Sequence, residues 1–267
     1  MHHAAESRRA NPCYDSIRPF AHCLDYATAP SLEQLNEWAG QAQPQPCNAQ
    51  GQALRFVAQT PLTASMDYET CIYTSGDVPT RPLNWHDAFN ALAWLSFPSS
   101  KAALNGRHVA ARDEPTAKKP RSAVKDALTL FDECGVIVVS DRADLLALVR
   151  DFSWKELFWL RRRDVQQHMK FFTFGHGLMA QLLTPYMGLT AKALLFTIAS
   201  TWLQANQEAL LQHVDATTRT LIASPGSMLQ GRDLAPLPVL GIPGWATENE
   251  DEAYYDNLDY FRPGRRA

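Results

Sequence analysis

The sequence predicts an α+β fold, mainly helical and forming a single domain with a small antiparallel sheet, and three observations predict it. Apolar residues recur at helical spacing in several segments, above all NWHDAFNALAWLSFP at 84–98. β-Branched and aromatic residues gather in short runs closed by turn signals, as at 68–77 and 127–139. A chain of 267 residues with 46% hydrophobic and 20% charged composition buries a core without staples, which excludes a disordered, collagenous or disulfide-scaffold protein. A net charge of -3 excludes a general cationic coat for nucleic acid or anionic lipid.

Residues 1–67 read as an N-terminal extension packed on a main domain spanning 68–267. Within the extension, helical pieces are expected at 19–26 and 31–40, the second opened by a Ser31/Gln34 capping box. The Gln/Pro-rich stretch 41–52 reads as a loop, followed by strand-like runs at 54–58 and 68–74, the latter ending on Ser75-Gly76-Asp77. Asn84 caps a helix that carries Trp85, Phe89, Leu92 and Leu95 until Pro98 stops it. Ser99 opens a second short helix, and 107–125 reads as a basic loop.

The run ALTLFDECGVIVV at 127–139 predicts a hairpin turning at Asp132 to Gly135. Asp141 and Ser153 cap further helices, and helices continue over 166–183 and 190–213. The apolar stretch 187–203 contains Lys192 and falls short of the roughly 20 apolar residues a membrane span needs, so a buried helix is expected and no membrane partner. Residues 237–245, LPVLGIPGW, predict a stiff segment anchored by Trp245, with Tyr254, Tyr255, Tyr260 and Phe261 forming an aromatic tail that clasps the body. Five cysteines without CxxC spacing, behind an N-terminus lacking an apolar leader, point to the cytoplasm.

The segments NWHDAFNALAWLSFP (84–98), KAALNGRH (101–108), DALTLFDECGV (126–136), FGHGLMAQLLTPYMGLTAKAL (174–194), LPVLGIPGW (237–245) and YFRPGRR (260–266) together resemble a proteobacterial family classed as a domain of unknown function. The likeness runs from about Tyr68 to Arg266 and implies no reaction. The chemistry therefore has to come from residue types.

The densest polar cluster is His86, Asp87, Asn90, Lys101, Asn105 and His108. His86 and Asn90, four apart, share a helix face, as do Asn105 and His108, three apart. Two imidazoles, a carboxylate and two amides suit a divalent metal and a general base, which points to a metal-dependent hydrolase of a phosphate ester or phosphodiester. In that reading His86 is base or ligand, Asp87 and His108 ligate or orient, Asn90 and Asn105 position, and Lys101 or Arg107 meets phosphate. Asp132, Glu133 and His176 join from outside the cluster, His176 between Gly175 and Gly177, which permit close backbone approach. The His/Asn inventory is similar to that of His-metal finger nucleases, although those carry the base His on a hairpin and His86 opens a helix.

Residues 101–125 carry a local +5 and residues 248–259 carry -6, so the net charge of -3 hides a body of +3. A small phosphate-containing substrate or a protein partner is expected, with nucleic acid behind them. The same residues also allow a non-enzymatic binding protein, with the His/Asn cluster serving caps and buried polar groups. The run LTLFDECG is similar to the first motif of haloacid-dehalogenase-like phosphotransferases at Asp132 and Gly135. Cys134 replaces the second Asp, which removes the proton donor that chemistry needs. Serine-hydrolase, P-loop, Rossmann and HExxH signatures are absent from the sequence.

Overall fold

The computed structural model describes residues 9–60, 67–113, 123–224 and 231–264. A 3-10 segment, Pro12–Asp25, buries Tyr14, Ile17, Cys23 and Leu24. Helix α1 (Leu32–Gln41) opens on the expected capping box, with Ser31 and Gln34 exchanging backbone and side-chain bonds. Strand β1 (Arg55–Ala58) pairs in parallel with β2 (Asp77–Thr80). Between them lies helix α2 (Tyr68–Ser75), where the sequence predicts a strand. Asp67 caps it by accepting from the Thr70 amide, and Gly76 ends it at a φ of 74°. These two end signals outweigh the β-branched content of a run this short.

Asn84 caps α3 (Trp85–Ser96) as expected. Helix α4 (Pro98–Asp113) runs further than predicted, so the first part of the expected basic loop is helical, while 114–122 lies outside the described residues. The expected hairpin at 127–139 is instead helix α5 (Ala123–Cys134) followed without a linker by β3 (Gly135–Ser140). Ala127, Leu128 and Phe131 are buried at helical spacing, which the apolar density of the run disguised as strand.

Next come α6 (Ala143–Arg150), a π turn (Glu156–Leu160), α7 (Arg162–His168), β4 (Met169–Thr173) and α8 (His176–Gln181). Strand β5 (Thr190–Thr197) precedes a single turn at Ser200–Leu203, α9 (Gln207–Ala223) and β6 (Ala235–Pro238). Strands β4 and β5 thus replace parts of the helices predicted over 166–183 and 190–213.

The fold is α+β and mainly helical, with its larger sheet ordered β4-β3-β5-β6. β3 runs antiparallel to β4 and parallel to β5, and β5 runs antiparallel to β6. Strand β3 is buried along its whole length. Val136 and Val138 face a core shared with α3 and the N-terminal segment, and Ile137 and Val139 face one built from α4, α5 and α9. Such double cover gives a continuous apolar run in place of alternation. Among the described residues no helix is long and apolar enough to cross a membrane.

Candidate metal centre

Two chain junctions meet where β3 begins and β4 ends. Helix α5 hands over to β3 directly, which leaves Glu133 in its last turn. β4 hands over to α8 through Phe174 and Gly175, which leaves His176 at the first position of that helix. Because Val136 pairs with Thr173, the junctions lie side by side, and the amides of Phe174 and Gly175 both donate to the Gly135 carbonyl, at 3.0 and 2.8 Å. A Cβ on Gly175 would lie 2.4 Å from the Gly135 nitrogen, and one on Gly177 would lie 2.4 Å from a carboxylate oxygen of Glu133. At Gly175, where the obstacles are backbone atoms, only glycine allows His176 this approach.

The third contributor is His86, in the first turn of α3, where the Asn84 side chain accepts from the Asp87 amide at 3.1 Å. His86 Nε2 lies 3.3 Å from Glu133 Oε2, and His176 Nε2 lies 3.3 Å from Glu133 Oε1. The imidazoles meet edge to face with centroids 4.6 Å apart. One donor atom from each of His86, Glu133 and His176 lies within 4.8 Å of the others. Ligands placed ~2.0–2.1 Å from a tetrahedral zinc ion stand about 3.3 Å apart, which is the spacing of each imidazole Nε2 from one oxygen of Glu133, Oε2 for His86 and Oε1 for His176. His176 is buried, while His86 and Glu133 are about two-fifths exposed at the mouth of a cavity of about 310 Å³.

Behind each imidazole stands a second carboxylate. Asp87 Oδ1 is 3.3 Å from His86 Nδ1, and Asp132 Oδ2 is 3.8 Å from His176 Nδ1. Arg81 grips Asp87 through its guanidinium at 2.7 and 3.0 Å and through its own amide at 2.7 Å. Partial burial opposes ionisation of Asp87, but the Arg81 bonds outweigh it and hold the carboxyl below its ordinary range. Lys101, fully buried, donates to Asp132 and, at 2.9 Å, to Asn90. Burial likewise opposes ionisation of Asp132, and the Lys101 charge reverses the balance, leaving its carboxyl low. The Asn90 amide donates in turn to the Tyr68 hydroxyl at 2.6 Å, so one polar chain links Tyr68, Asn90, Lys101 and Asp132.

The remaining wall of the cavity includes Glu69 and His108. Burial, reinforced by the Asp132 charge, pushes the Glu69 carboxyl up to about 7, although Asn105 donates to it at 2.7 Å. Burial pushes His108 down to about 4, so its imidazole is neutral near pH 7, and its Nδ1 is buried without a hydrogen-bond partner among the described residues. The hydrogen bond from His176 does most to hold the Glu133 carboxyl below its ordinary range.

Of the ligands expected from sequence, His86 and His176 come together, and Glu133 supplies the carboxylate next to them. Asp87 and Asp132 stand behind the imidazoles, and His108 lines the wall outside the group of three. Lys101 and Asn90 belong to the buried chain, and Asn105 serves Glu69. Arg107 points elsewhere, donating to the Ile222 carbonyl on α9 at 2.6 Å. Tyr68, Glu69 and Arg81 went unread in the sequence. An Asp67 cap would have signalled the helix carrying the first two, and no local pattern marks Arg81.

Neither the curated proteins nor the solved structures yield a match to this chain. A family model does match, over residues 54–265. The chain therefore belongs to the family described as Protein of unknown function (DUF3025).

Proposed function

We propose that the protein is a metal-dependent hydrolase whose divalent cation, of the zinc type, is held by His86, His176 and Glu133. One observation carries this reading: both imidazoles turn Nε2 toward the same carboxylate at 3.3 Å while Nδ1 faces a different one. Without a cation, Nε2–H of His176 donates to Glu133; with one, each neutral imidazole can carry its proton on Nδ1, toward Asp87 or Asp132, and turn its Nε2 lone pair to the metal. Three sets of lone pairs then converge, an arrangement that a cation turns from repulsive to bonding. When bound, an ion with three protein ligands supplies a Lewis acid and a water activated near neutral pH. Glu69, with its carboxyl near 7, offers an acid and base group on the same cavity.

Charge favours a phosphodiester over a dianionic monoester. Glu69, Asp87, Asp132 and Glu133 face Arg81 and Lys101, and both cations are already paired, with Asp87 and Asp132. A divalent cation cancels the two negative charges left over, which leaves room for one more anionic group and, among the described residues lining the cavity, no unpaired cation for a second.

The test is cobalt(II) titration of the metal-stripped protein beside His176→Ala and Glu133→Gln variants, followed by assay of the zinc form on bis(p-nitrophenyl) phosphate. The wild type should take up about one equivalent with visible tetrahedral bands, and the variants should lose it. Diester turnover should follow zinc and fall in Glu69→Gln. Absent uptake by the wild type, or equal uptake by the variants, refutes the reading; uptake without turnover supports a metal-binding protein that is not a hydrolase.

A further inference from the structure

The wall of the cavity beyond His86, Glu133 and His176 is built by other elements. Helix α2 contributes Tyr68 and Glu69 from its first turn, and α4 contributes His108. Asn105, one turn before His108, ties the two helices by donating to the Glu69 carbonyl at 2.9 Å and to its carboxylate at 2.7 Å. Two features of this wall point to a ligand. His108 is only 4% exposed, and its Nδ1 is buried with no hydrogen-bond partner among the described residues. A buried nitrogen left unbonded costs stability, so a fold keeps one where something else comes to bond it. Tyr68 is turned against the usual habit of tyrosine: its hydroxyl accepts from Asn90 at 2.6 Å, while the residue remains 37% exposed on the cavity wall. Most tyrosines cover the ring and wet the hydroxyl; here the hydroxyl is engaged and ring surface is left open.

We propose that Tyr68 and His108 form a subsite for the base of a nucleoside phosphodiester, which stacks on the Tyr68 ring and meets His108 Nδ1 with its hydrogen-bonding edge. The proposal rests on the hydrolase reading above and names its substrate class. Charge decides against a second phosphate here, because Glu69 lines this wall and the cavity's Arg81 and Lys101 are bonded to Asp87 and Asp132. Chemistry decides against a plain alkyl group, which would cover the ring and leave His108 Nδ1 unbonded. A flat ring with donors and acceptors on its edge satisfies both side chains at once, whichever imidazole nitrogen carries the proton. Size decides against a long strand. A cavity of about 310 Å³ is that of a single small-molecule site, and a polynucleotide needs a track of unpaired cations that the described lining lacks.

The test compares the p-nitrophenyl phosphodiesters of thymidine and adenosine with methyl p-nitrophenyl phosphate, which has no base. Binding to the metal-free protein is read by calorimetry, and kcat/KM is read on the zinc form. The wild type should bind at least one nucleoside ester about 10-fold more tightly than the methyl ester. Tyr68→Leu should erase most of that preference, and Tyr68→Phe, which keeps the ring and drops the hydroxyl, should retain it. His108→Leu should cut the preference about 3–10-fold, and His108→Asn, which places an amide near Nδ1, should restore part of it. Should His108→Leu fail to fold, the two Tyr68 variants still decide. No preference in the wild type, or one that survives Tyr68→Leu, overturns the subsite and leaves the metal centre standing. A preference with these variant effects in a protein that takes up no cobalt overturns the metal reading and leaves the subsite.

Discussion

Glu69 accepts from a neutral amide, Asn105, whereas Asp87, Asp132 and Glu133 accept from Arg81, Lys101 and His176. That difference makes it the cavity carboxyl with a raised value. Its carboxyl titrates at about 7 in the fold against an ordinary value of 4.5, so folding favours the protonated form. The stability it contributes is fully present below 4.5 and is lost as pH rises through about 7. Glu69→Gln keeps an acceptor for Asn105 and removes the charge. The metal-free variant should match the wild type at about pH 5 and exceed it near pH 8 by on the order of 1–2 kcal/mol, read as a widening gap in melting temperature. A constant gap would mean that Glu69 ionises in the ordinary range. His108 works in the other direction: its value drops from 6.5 to about 4, so its contribution is present above 6.5 and is lost as pH falls toward 4. At this scale the sequence singles out His86, Asp132, Glu133 and His176, and the fold brings them together around one cavity. It does not show which of two adjacent acids faces the imidazole Nε2 atoms. In a helix, neighbours point about 100° apart, so Glu133 reaches the imidazoles' Nε2 atoms and Asp132 the back of one ring.

The site depends on two junctions in which a helix and a strand meet with little or no linker. Gly175 sits where an added Cβ would be 2.4 Å from the Gly135 nitrogen and 2.5 Å from the Glu133 carbonyl oxygen, both backbone atoms that cannot step aside. Gly175→Ala should therefore cost about 1–3 kcal/mol and lower the melting temperature. At Gly177 the closest obstacle is the Glu133 carboxylate, a movable group, so Gly177→Ala should stay folded yet bind cobalt more weakly than the wild type. If Gly177→Ala binds cobalt normally, the glycines serve packing alone. Helices with end signals, such as those opened by Ser31 and Asn84, are readable from sequence because a cap is a local hydrogen bond. The strand β3 is legible as the second arm of the expected hairpin, whereas α5, β4 and β5 are not, because in short runs of mixed apolar and β-branched residues a period of 2 and one of 3.6 are hard to tell apart.

Across the described residues, ion pairs join distant segments of the chain at its surface. The acidic segment near the C-terminus is tied to the body through Lys155, which reaches Asp256 at 2.7 Å and Glu252 at 3.1 Å, and through Arg162, which reaches Glu250. The N-terminal segment is equally integrated, although the family match begins only at residue 54. Tyr14 and Ile17 are buried in the core shared with α3. The Tyr14 hydroxyl donates to the Met179 carbonyl in α8 at 3.2 Å. Ser16 donates to the Thr173 carbonyl, and the Thr173 hydroxyl donates back to the Cys13 carbonyl, each at 2.7 Å. These bonds straddle the β4 to α8 junction that presents His176, so the segment buttresses the candidate site as well as the core. Ile17→Ala should cost about 2–5 kcal/mol, as a cavity in a closed core does. Thr173→Val removes the hydroxyl bond at nearly constant volume, and should cost about 0.5–1.5 kcal/mol while weakening cobalt binding. Deletion of residues 1–30 removes every one of these contacts, so the remaining chain should bind a hydrophobic dye, unfold with reduced cooperativity and take up little cobalt. A deletion variant that melts like the full chain and binds cobalt as tightly would show that the segment supports neither the core nor the metal centre.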